Sequence, residues 1–216
     1  GLYAGMGENS NFVGNIEITQ GVTEIGDAAF DNLFLKNRID LILPVGMKKI
    51  GNSAFGQMRF SSLLFNDDLE HIGNYAFLGC EIPFQINLPT GLIQIGIMAF
   101  SHSKIRGKLI IPERCLSIGR GAFWGCSLSE LILPEKLEII MEESFCNVGS
   151  ITELTIPKFV DYIGDRAFAE NAYLQTIISL NPEPPVLGDE VFAGLYMDKV
   201  VLQVPEQSLE LYRNAD

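Results

Sequence analysis

A pattern of apolar positions repeats eight times along this chain. Each copy reads Ile-Gly-x-x-Ala-Phe or a close variant, and successive copies of its phenylalanine are 22 to 25 residues apart. These residues are Phe30, Phe55, Phe77, Phe100, Phe123, Phe145, Phe168 and Phe192. A period this short predicts a solenoid, in which each unit packs only against its neighbours. One unit cannot bury its ring alone, so we expect the rings of successive units to stack into a buried ladder.

A second pattern, three residues long, predicts one β-strand per unit. In Leu131-Ile132-Leu133 the apolar run is followed directly by Pro134, which lacks the N–H that a ladder needs. The equivalent segments are 16–18, 41–43, 63–65, 86–88, 109–111, 154–156 and 177–179. Side chains alternate along a strand, so the first and third residues face the core and the middle one points outward. We therefore expect a parallel β-sheet along one face of about eight repeats.

Short helical or irregular turns are predicted on the opposite face. The glycine of each copy suits a turn that a Cβ would obstruct, and in unit six Met141 replaces it and predicts a distorted turn. The Asp or Asn that follows the glycine fits the N-cap of a short helical turn containing Ala-Phe. The residues at this position are Asp27, Asn52, Asn74, Asp165 and Asp189. A stacked metal site is the alternative, but Ile97 and Arg120 interrupt the series.

The repeat pattern predicts a single solenoid domain over residues 16–216. Residues 1–15 hold no copy of the repeat and four glycines, so we expect a linker or an N-terminal cap there. The last predicted strand, 200–204, ends at Pro205. From about residue 205 the polar and apolar residues of 208–212 predict a helical cap over the end of the stack.

The middle residues of the predicted strands are the candidate binding site. Five of the eight are large and aliphatic, and we call these five the strand-centre row: Ile42, Leu64, Ile110, Ile132 and Ile178. If that face is open, an apolar row of this kind marks an interaction site. The alternative is that aliphatic residues simply favour strands and that another segment covers them. Trp124, which follows a repeat phenylalanine, is a further candidate for ligand contact, with packing in the core as the favoured alternative.

Charge and composition exclude two classes of partner. The formal net charge is −12, which argues against nucleic acid because a phosphate backbone requires clustered Lys and Arg. It argues equally against an anionic membrane surface. No apolar stretch approaches the length of a membrane span, so we expect no membrane insertion of this segment.

Side chains that carry chemistry are few, and they point to no catalytic site, metal or cofactor. The four cysteines form no CxxC pair and fit buried packing positions. His71 and His102 lie in different turns without a catalytic neighbour. Glu130 and Glu153 fall at matching positions one unit apart, as a carbohydrate-acting site would require, but two neighbouring carboxylates are more often a solvated face.

Several segments resemble a known family. Residues 128–133 and 151–156 follow the pattern L-x-x-L-x-L, or its Ile variant, of a leucine-rich repeat. Together with Ile-Gly-x-x-Ala-Phe-x-x-Cys at 72–80 and 118–126, and with the Val204-Pro205 ending, the chain resembles the BspA-like leucine-rich repeat family over about residues 16–212. The resemblance implies a leucine-rich-repeat solenoid and a protein of a microbial surface, secreted or displayed, with roles in adhesion for some members.

The resulting expectation is a non-enzymatic protein-binding or adhesion module at the cell surface. Its partner would be a host matrix protein or another microbial surface protein. The alternative is a structural spacer or self-association module without a ligand of its own. The chain begins at Gly1 and shows no leader, so either the protein is cytoplasmic or a leader has been removed, and we favour the removed leader.

Overall fold

A computed structural model describes residues 16–31, 33 and 37–215 of this chain. The described residues wind into successive coils, each of which contains one copy of the repeat. Every β-pairing between the coils is parallel. This confirms the predicted leucine-rich-repeat-like solenoid. Residues 1–15 lie outside the described residues, so the expected linker or cap there is not described.

One face of the solenoid, the strand face, carries the longer strands. They are β2 (Ile39–Ile42), β4 (Phe60–Leu64), β7 (Arg106–Ile110), β9 (Ser127–Ile132), β11 (Glu153–Ile156), β13 (Thr176–Ser179) and β15 (Val201–Gln203). They pair as β2-β4, β7-β9 and β11-β13-β15. The sheet is therefore interrupted rather than continuous. Two of the predicted strands, 16–18 and 86–88, lie outside any β-ladder, which corrects the expectation for those units.

A second parallel ladder, which the sequence pattern did not predict, runs through the Ile-Gly positions. Its two-residue strands are β1 (Glu24–Ile25), β3 (Lys49–Ile50), β5 (His71–Ile72), β6 (Gln94–Ile95), β8 (Ser117–Ile118), β10 (Ile139–Ile140), β12 (Tyr162–Ile163) and β14 (Val186–Leu187). They pair as β1-β3-β5-β6-β8 and β10-β12-β14. Each isoleucine of the motif is thus a buried rung and not merely the entrance to a turn.

The segment around Ala-Phe is held by bonds between coils and contains no helix among the described residues. The N–H of Phe77 donates to the carbonyl of Ala99, and that of Phe100 to Ala122, at 2.7 and 2.8 Å. Residues two positions before the phenylalanine have left-handed backbone, as in Tyr75 (φ 57°). Left-handed residues break an α-helix, and the N–H groups point at the next coil instead.

The predicted N-caps are therefore wrong, because these Asp and Asn side chains accept hydrogen bonds from the backbone of the neighbouring coil. Asp27 Oδ1 accepts the backbone N–H of Asn52 at 2.7 Å, and Asn52 Oδ1 accepts that of Asn74 at 2.8 Å. Asp165 Oδ1 accepts the N–H of Asp189 at 2.8 Å in the same way. An N-cap bonds within its own turn, whereas these oxygens satisfy a donor one coil away.

The phenylalanine rings form one continuous stack, as predicted. Neighbouring centroids are 5.1 to 5.9 Å apart and the ring planes lie within 15° of parallel from Phe30 to Phe192. The six rings from Phe55 to Phe168 are fully buried. Offset stacking at this spacing is favourable beyond the burial itself.

All four cysteines are free and buried, and two of them satisfy the backbone of the phenylalanine stack. The Sγ of Cys80 donates to the carbonyl of Phe55 at 3.0 Å, and that of Cys126 to Phe100 at 3.3 Å. Asn171 Nδ2 does the same for the carbonyl of Phe145 at 2.9 Å. Cys80, Cys126 and Asn171 each lie three residues after a stack phenylalanine, and from that position each side chain donates to the preceding coil.

Thiol reactivity tests this burial. Burial raises the pKa of Cys80 and of Cys126 to about 12, and only the thiolate reacts. At about pH 8 we expect a thiol-reactive dye to label the native chain negligibly, and to label all four cysteines once guanidinium chloride unfolds it. Rapid labelling of the native chain would contradict the buried positions.

A seam interrupts both ladders at the unit where Met141 replaces glycine. Elsewhere the motif glycine donates to the preceding isoleucine, as Gly119 N does to Ile95 O at 2.8 Å. At Met141 the ladder is interrupted, because β8 and β10 belong to different sheets. On the strand face, β9 and β11 likewise do not pair with each other. The predicted distortion at Met141 thus takes the form of a break between two adjacent coils.

Candidate binding face

Four residues of the strand-centre row are exposed on the strand face. Ile42 lies opposite Leu64 across β2 and β4, and Ile110 lies opposite Ile132 across β7 and β9. Their exposed fractions run from 61% at Ile42 to 37% at Ile132. The flanking residues Leu41 and Leu131 are buried, as the alternation of side chains along a strand requires. No described segment covers these four side chains.

The row is divided into two pairs and a separate member. Asn87 separates the pair Ile42 and Leu64 from the pair Ile110 and Ile132, and its own segment lies outside the sheet. Thr155 pairs with Ile178 across β11 and β13. Ile178 is half-buried and is separated from Ile132 by the unpaired edges of β9 and β11. The structure therefore brings four of the five predicted residues together as two aliphatic pairs.

A groove opens on the strand face where β9 and β11 do not pair. The coils remain joined at the bridge between Leu128 and Gly149, and beyond it no backbone hydrogen bond links 129–136 to 151–159 among the described residues. The groove encloses about 600 Å³. Its walls are aliphatic and aromatic, contributed by Ile132, Leu133, Phe159 and Leu180 among others.

Carboxylates dominate the rim of this groove. Glu130, Glu135 and Glu153 line it, against the single cation Lys158. Glu130 is paired with Lys108 at 2.9 Å. The ammonium of Lys158 lies 5.7 Å from the ring centroid of Phe159, a distance typical of a cation–π contact. The groove therefore offers an apolar floor and a predominantly negative edge.

Trp124 lies elsewhere. It is half-buried on the turn side of the coil, where its ring centroid is 5.1 Å from that of His102. Its carbonyl accepts the N–H of His102 at 2.7 Å. The structure thus places Trp124 against the neighbouring coil, on a different face from the strand-centre row.

Two features of the strand side were missed in the sequence. Phe159 is 54% exposed beside the groove, and the sequence signal for it was an aromatic residue two positions after the strand-ending Pro157. The second is an ion-pair cluster in which Arg38, Arg59 and Lys104 surround Glu81 at 2.7, 3.1 and 3.5 Å. The hydrogen bond from Arg59 holds the pKa of Glu81 below its usual range. These four residues are 21 to 23 positions apart along the chain, so they lie on successive coils, and the repeat period was the sequence signal for their meeting.

Neither a metal-binding cluster nor a membrane helix is found in the part of the chain that the structure describes. Within 16–31, 33 and 37–215, no three His, Cys, Asp or Glu side chains are grouped as metal ligands. In the same residues no helix has both the length and the hydropathy to cross a bilayer. Glu130 and Glu153, the carboxylates considered for carbohydrate chemistry, lie on the rim of the groove.

Comparison with known proteins identifies the repeat. The family model described as BspA type leucine-rich repeat region, with 6 copies, matches residues 8–107 and 106–214. No curated protein sequence matches this chain.

Two solved structures share the fold. A leucine-rich repeat protein from Bacteroides ovatus ATCC 8483 is 28% identical with a TM-score of 0.73, over 84% of this chain and 49% of that one. A leucine-rich cell surface protein from Faecalibacterium prausnitzii A2-165 is 19% identical with a TM-score of 0.56, over 90% and 61%. This chain thus spans about half to three fifths of the length of these proteins. With nearly all of its residues matched by the family model, the chain belongs to the BspA-type leucine-rich repeat family.

Proposed function

We propose that this chain is a non-enzymatic protein-binding module that acts at a microbial surface through its strand face. The observation that carries the proposal is the exposed aliphatic row beside a groove with an apolar floor. Exposed apolar patches with a polar rim are typical of protein interaction sites. A leucine-rich repeat solenoid presents such a face as a rigid, extended surface.

The surface location is supported by the relatives. One of the structures with the same fold is described as a cell surface protein. The adhesion role and a partner among host matrix or microbial surface proteins are part of the proposal.

The alternative of a spacer without a ligand is less well supported by the geometry. A spacer would bury the strand-centre row under a flanking segment, but Ile42, Leu64, Ile110 and Ile132 are exposed. Self-association through the same face remains as an alternative, and the binding experiment below separates it from capture of another protein.

Two substitutions test the strand face. Ile110→Asp combined with Ile132→Asp places two carboxylates at adjacent exposed positions and leaves the core unchanged. On a surface-plasmon-resonance array of purified extracellular matrix and microbial surface proteins, we expect the native chain to bind at least one protein. We expect the variant to lose that binding. The loss should be at least about tenfold in Kd, because desolvating a carboxylate at an apolar contact is unfavourable.

A matched control distinguishes the face from a general effect of charge. Ile97→Asp with Ile139→Asp makes the same change at exposed isoleucines outside the strand face, and we expect unchanged binding. Equal binding by the strand-face variant and the native chain would refute the proposal, as would a native chain that binds nothing on the array. Sedimentation velocity of the strand-face variant reports whether the face serves self-association instead.

A further inference from the structure

The groove between β9 and β11 is bordered by two strand edges whose backbone groups do not pair across it. Between β7 and β9, Ile111 N donates to Ile132 O at 2.9 Å. The residues one repeat further along the chain are Leu133 and Thr155, and within the described residues no hydrogen bond joins Leu133 N to Thr155 O. A rung of the strand-face ladder is therefore missing at the groove.

The direction of the backbone groups shows which of them face the groove. In a parallel sheet the N–H and C=O groups of successive residues point to opposite edges of the strand. Ile132 O bonds toward β7, whereas Thr152 O and Ile156 O bond toward β13. By alternation, the backbone groups that face the groove belong to Leu131, Leu133, Glu153 and Thr155. An open edge of this kind can bond to an added strand.

The groove is closed at both ends and has the length of a short strand. Leu128 N donates to Val148 O at one end, and Asp161 N donates to Glu138 O at 3.0 Å at the other. The edge of β11 between these points is four residues long, so an extended segment of equal length would span about 13 Å. The volume of about 600 Å³ lies within the range of about 300–1,000 Å³ that is typical of ligand-binding clefts.

The side chains along the two edges alternate between carboxylates and leucines. Glu130 and Glu153 point outward at matching positions on either side of the groove, and Leu131 and Leu133 are buried beneath them. Glu130 is paired with Lys108, whereas Glu153 forms no ion pair within the described part of the chain. A strand in the groove would therefore meet a negative charge at its outward positions and an apolar floor at its inward ones.

We propose that the groove binds an extended segment of a partner protein, in which lysine or arginine alternates with apolar residues, as an added β-strand. Main-chain hydrogen bonds to the open edges supply affinity in this mode of recognition, and alternate side chains supply specificity. The net charge of −12 also attracts a cationic segment. This inference rests on the proposed function, because it specifies which part of a protein partner the strand face takes.

Fluorescence anisotropy with a labelled short peptide of alternating valine and lysine tests the proposal on the 216-residue chain. We expect a Kd below about 1 mM that rises as NaCl screens the charges. The same peptide methylated at alternate backbone nitrogens should bind at least about tenfold more weakly, because it loses the donors to one edge of the groove. A peptide of alternating valine and glutamate should not bind, since like charges repel.

Two matched variants and one site-specific measurement locate the peptide. Glu153→Gln removes the carboxylate that lacks an ion pair and should weaken binding by about two- to fivefold. Glu24→Gln makes the same change at an exposed position of β1, outside the groove, and should bind as the native chain does. In hydrogen–deuterium exchange, the bound peptide should protect the amides of Leu133 and Thr155, which face the groove.

A native chain that does not bind the valine–lysine peptide would overturn the proposal. Equal binding of the methylated peptide, or unchanged exchange at Leu133 and Thr155, would overturn it too, because charge alone would then hold the peptide. Ile42→Asp with Leu64→Asp alters the strand face away from the groove and should leave peptide binding unchanged.

The peptide and the protein array together separate this inference from the proposed function. If the native chain binds a protein on the array but not the peptide, the strand-addition site is refuted and the proposed function stands. If the native chain binds the peptide but nothing on the array, the strand-addition site stands and the proposed function is refuted.

Discussion

Phe100→Ala should destabilise the whole solenoid by about 3–5 kcal/mol, because it removes a fully buried ring from the middle of the stack. Phe100 lies between Phe77 and Phe123, with centroids 5.1 and 5.4 Å away, so both neighbours lose a packing partner. For a chain of this size the loss corresponds to a fall in Tm of roughly 6–20 °C. Differential scanning calorimetry, together with guanidinium unfolding, measures both quantities.

Phe159→Ala is the matched control for this prediction. It removes the same atoms from an exposed phenylalanine, so we expect a change within about 0.5 kcal/mol. Phe192→Ala, at the half-exposed end of the stack, should fall between the two. If Phe100→Ala and Phe159→Ala melted at the same temperature, the ring stack would not be the source of stability.

Gly96→Ala should be the second severe substitution, although it adds only one methyl group. A Cβ at Gly96 would lie 2.5 Å from the backbone nitrogen of Asn74, closer than any real contact, and the atom it meets is backbone and not a flexible side chain. The coils would have to separate, and the bond from Gly96 N to Ile72 O at 2.8 Å would weaken. Overpacking and the strained hydrogen bonds together predict a loss of about 2–5 kcal/mol in chemical denaturation.

Gly26→Ala is the control, because it makes the same change in the first coil. No atom of the described residues lies within 4 Å of a Cβ at Gly26, and the φ of Gly26 is not in the left-handed region. We expect this variant to be neutral or more stable by about 0.4–1 kcal/mol, since alanine lowers the entropy of the unfolded chain. Similar losses at both glycines would mean that the need for glycine is intrinsic to the turn and not caused by the neighbouring coil.

Met141 shows how the fold responds to a side chain at this position. The residues on either side of the seam keep their ring stacking, with Phe123 and Phe145 5.7 Å apart. The turn face also stays bonded, since Phe123 N donates to Ser144 O at 3.0 Å. Both β-ladders are instead interrupted between these two coils, and the groove on the strand face lies between the same two coils. The unit in which methionine replaces the motif glycine thus coincides with a groove on the candidate binding face.

The sequence by itself determined the solenoid, its period and its buried columns. Apolar residues that return every 22 to 25 positions must lie on one side of each coil, so the phenylalanine stack and the alternation between Leu131 and Ile132 followed from the pattern alone. The exposed row was predicted for the same reason. Whether a flanking segment would cover it was not, because that depends on contacts between segments remote in sequence.

Only the tertiary structure decided how the backbone groups between the strands are satisfied. Asp27 and Asn52 have the local pattern of helix N-caps, yet their oxygens bond one coil away, because stacked coils offer partners that a single unit lacks. The short-strand ladder and the seam at Met141 were set in the same way. Periodicity fixes which side chains face inward, but contacts between coils determine which backbone groups pair and where the stack opens.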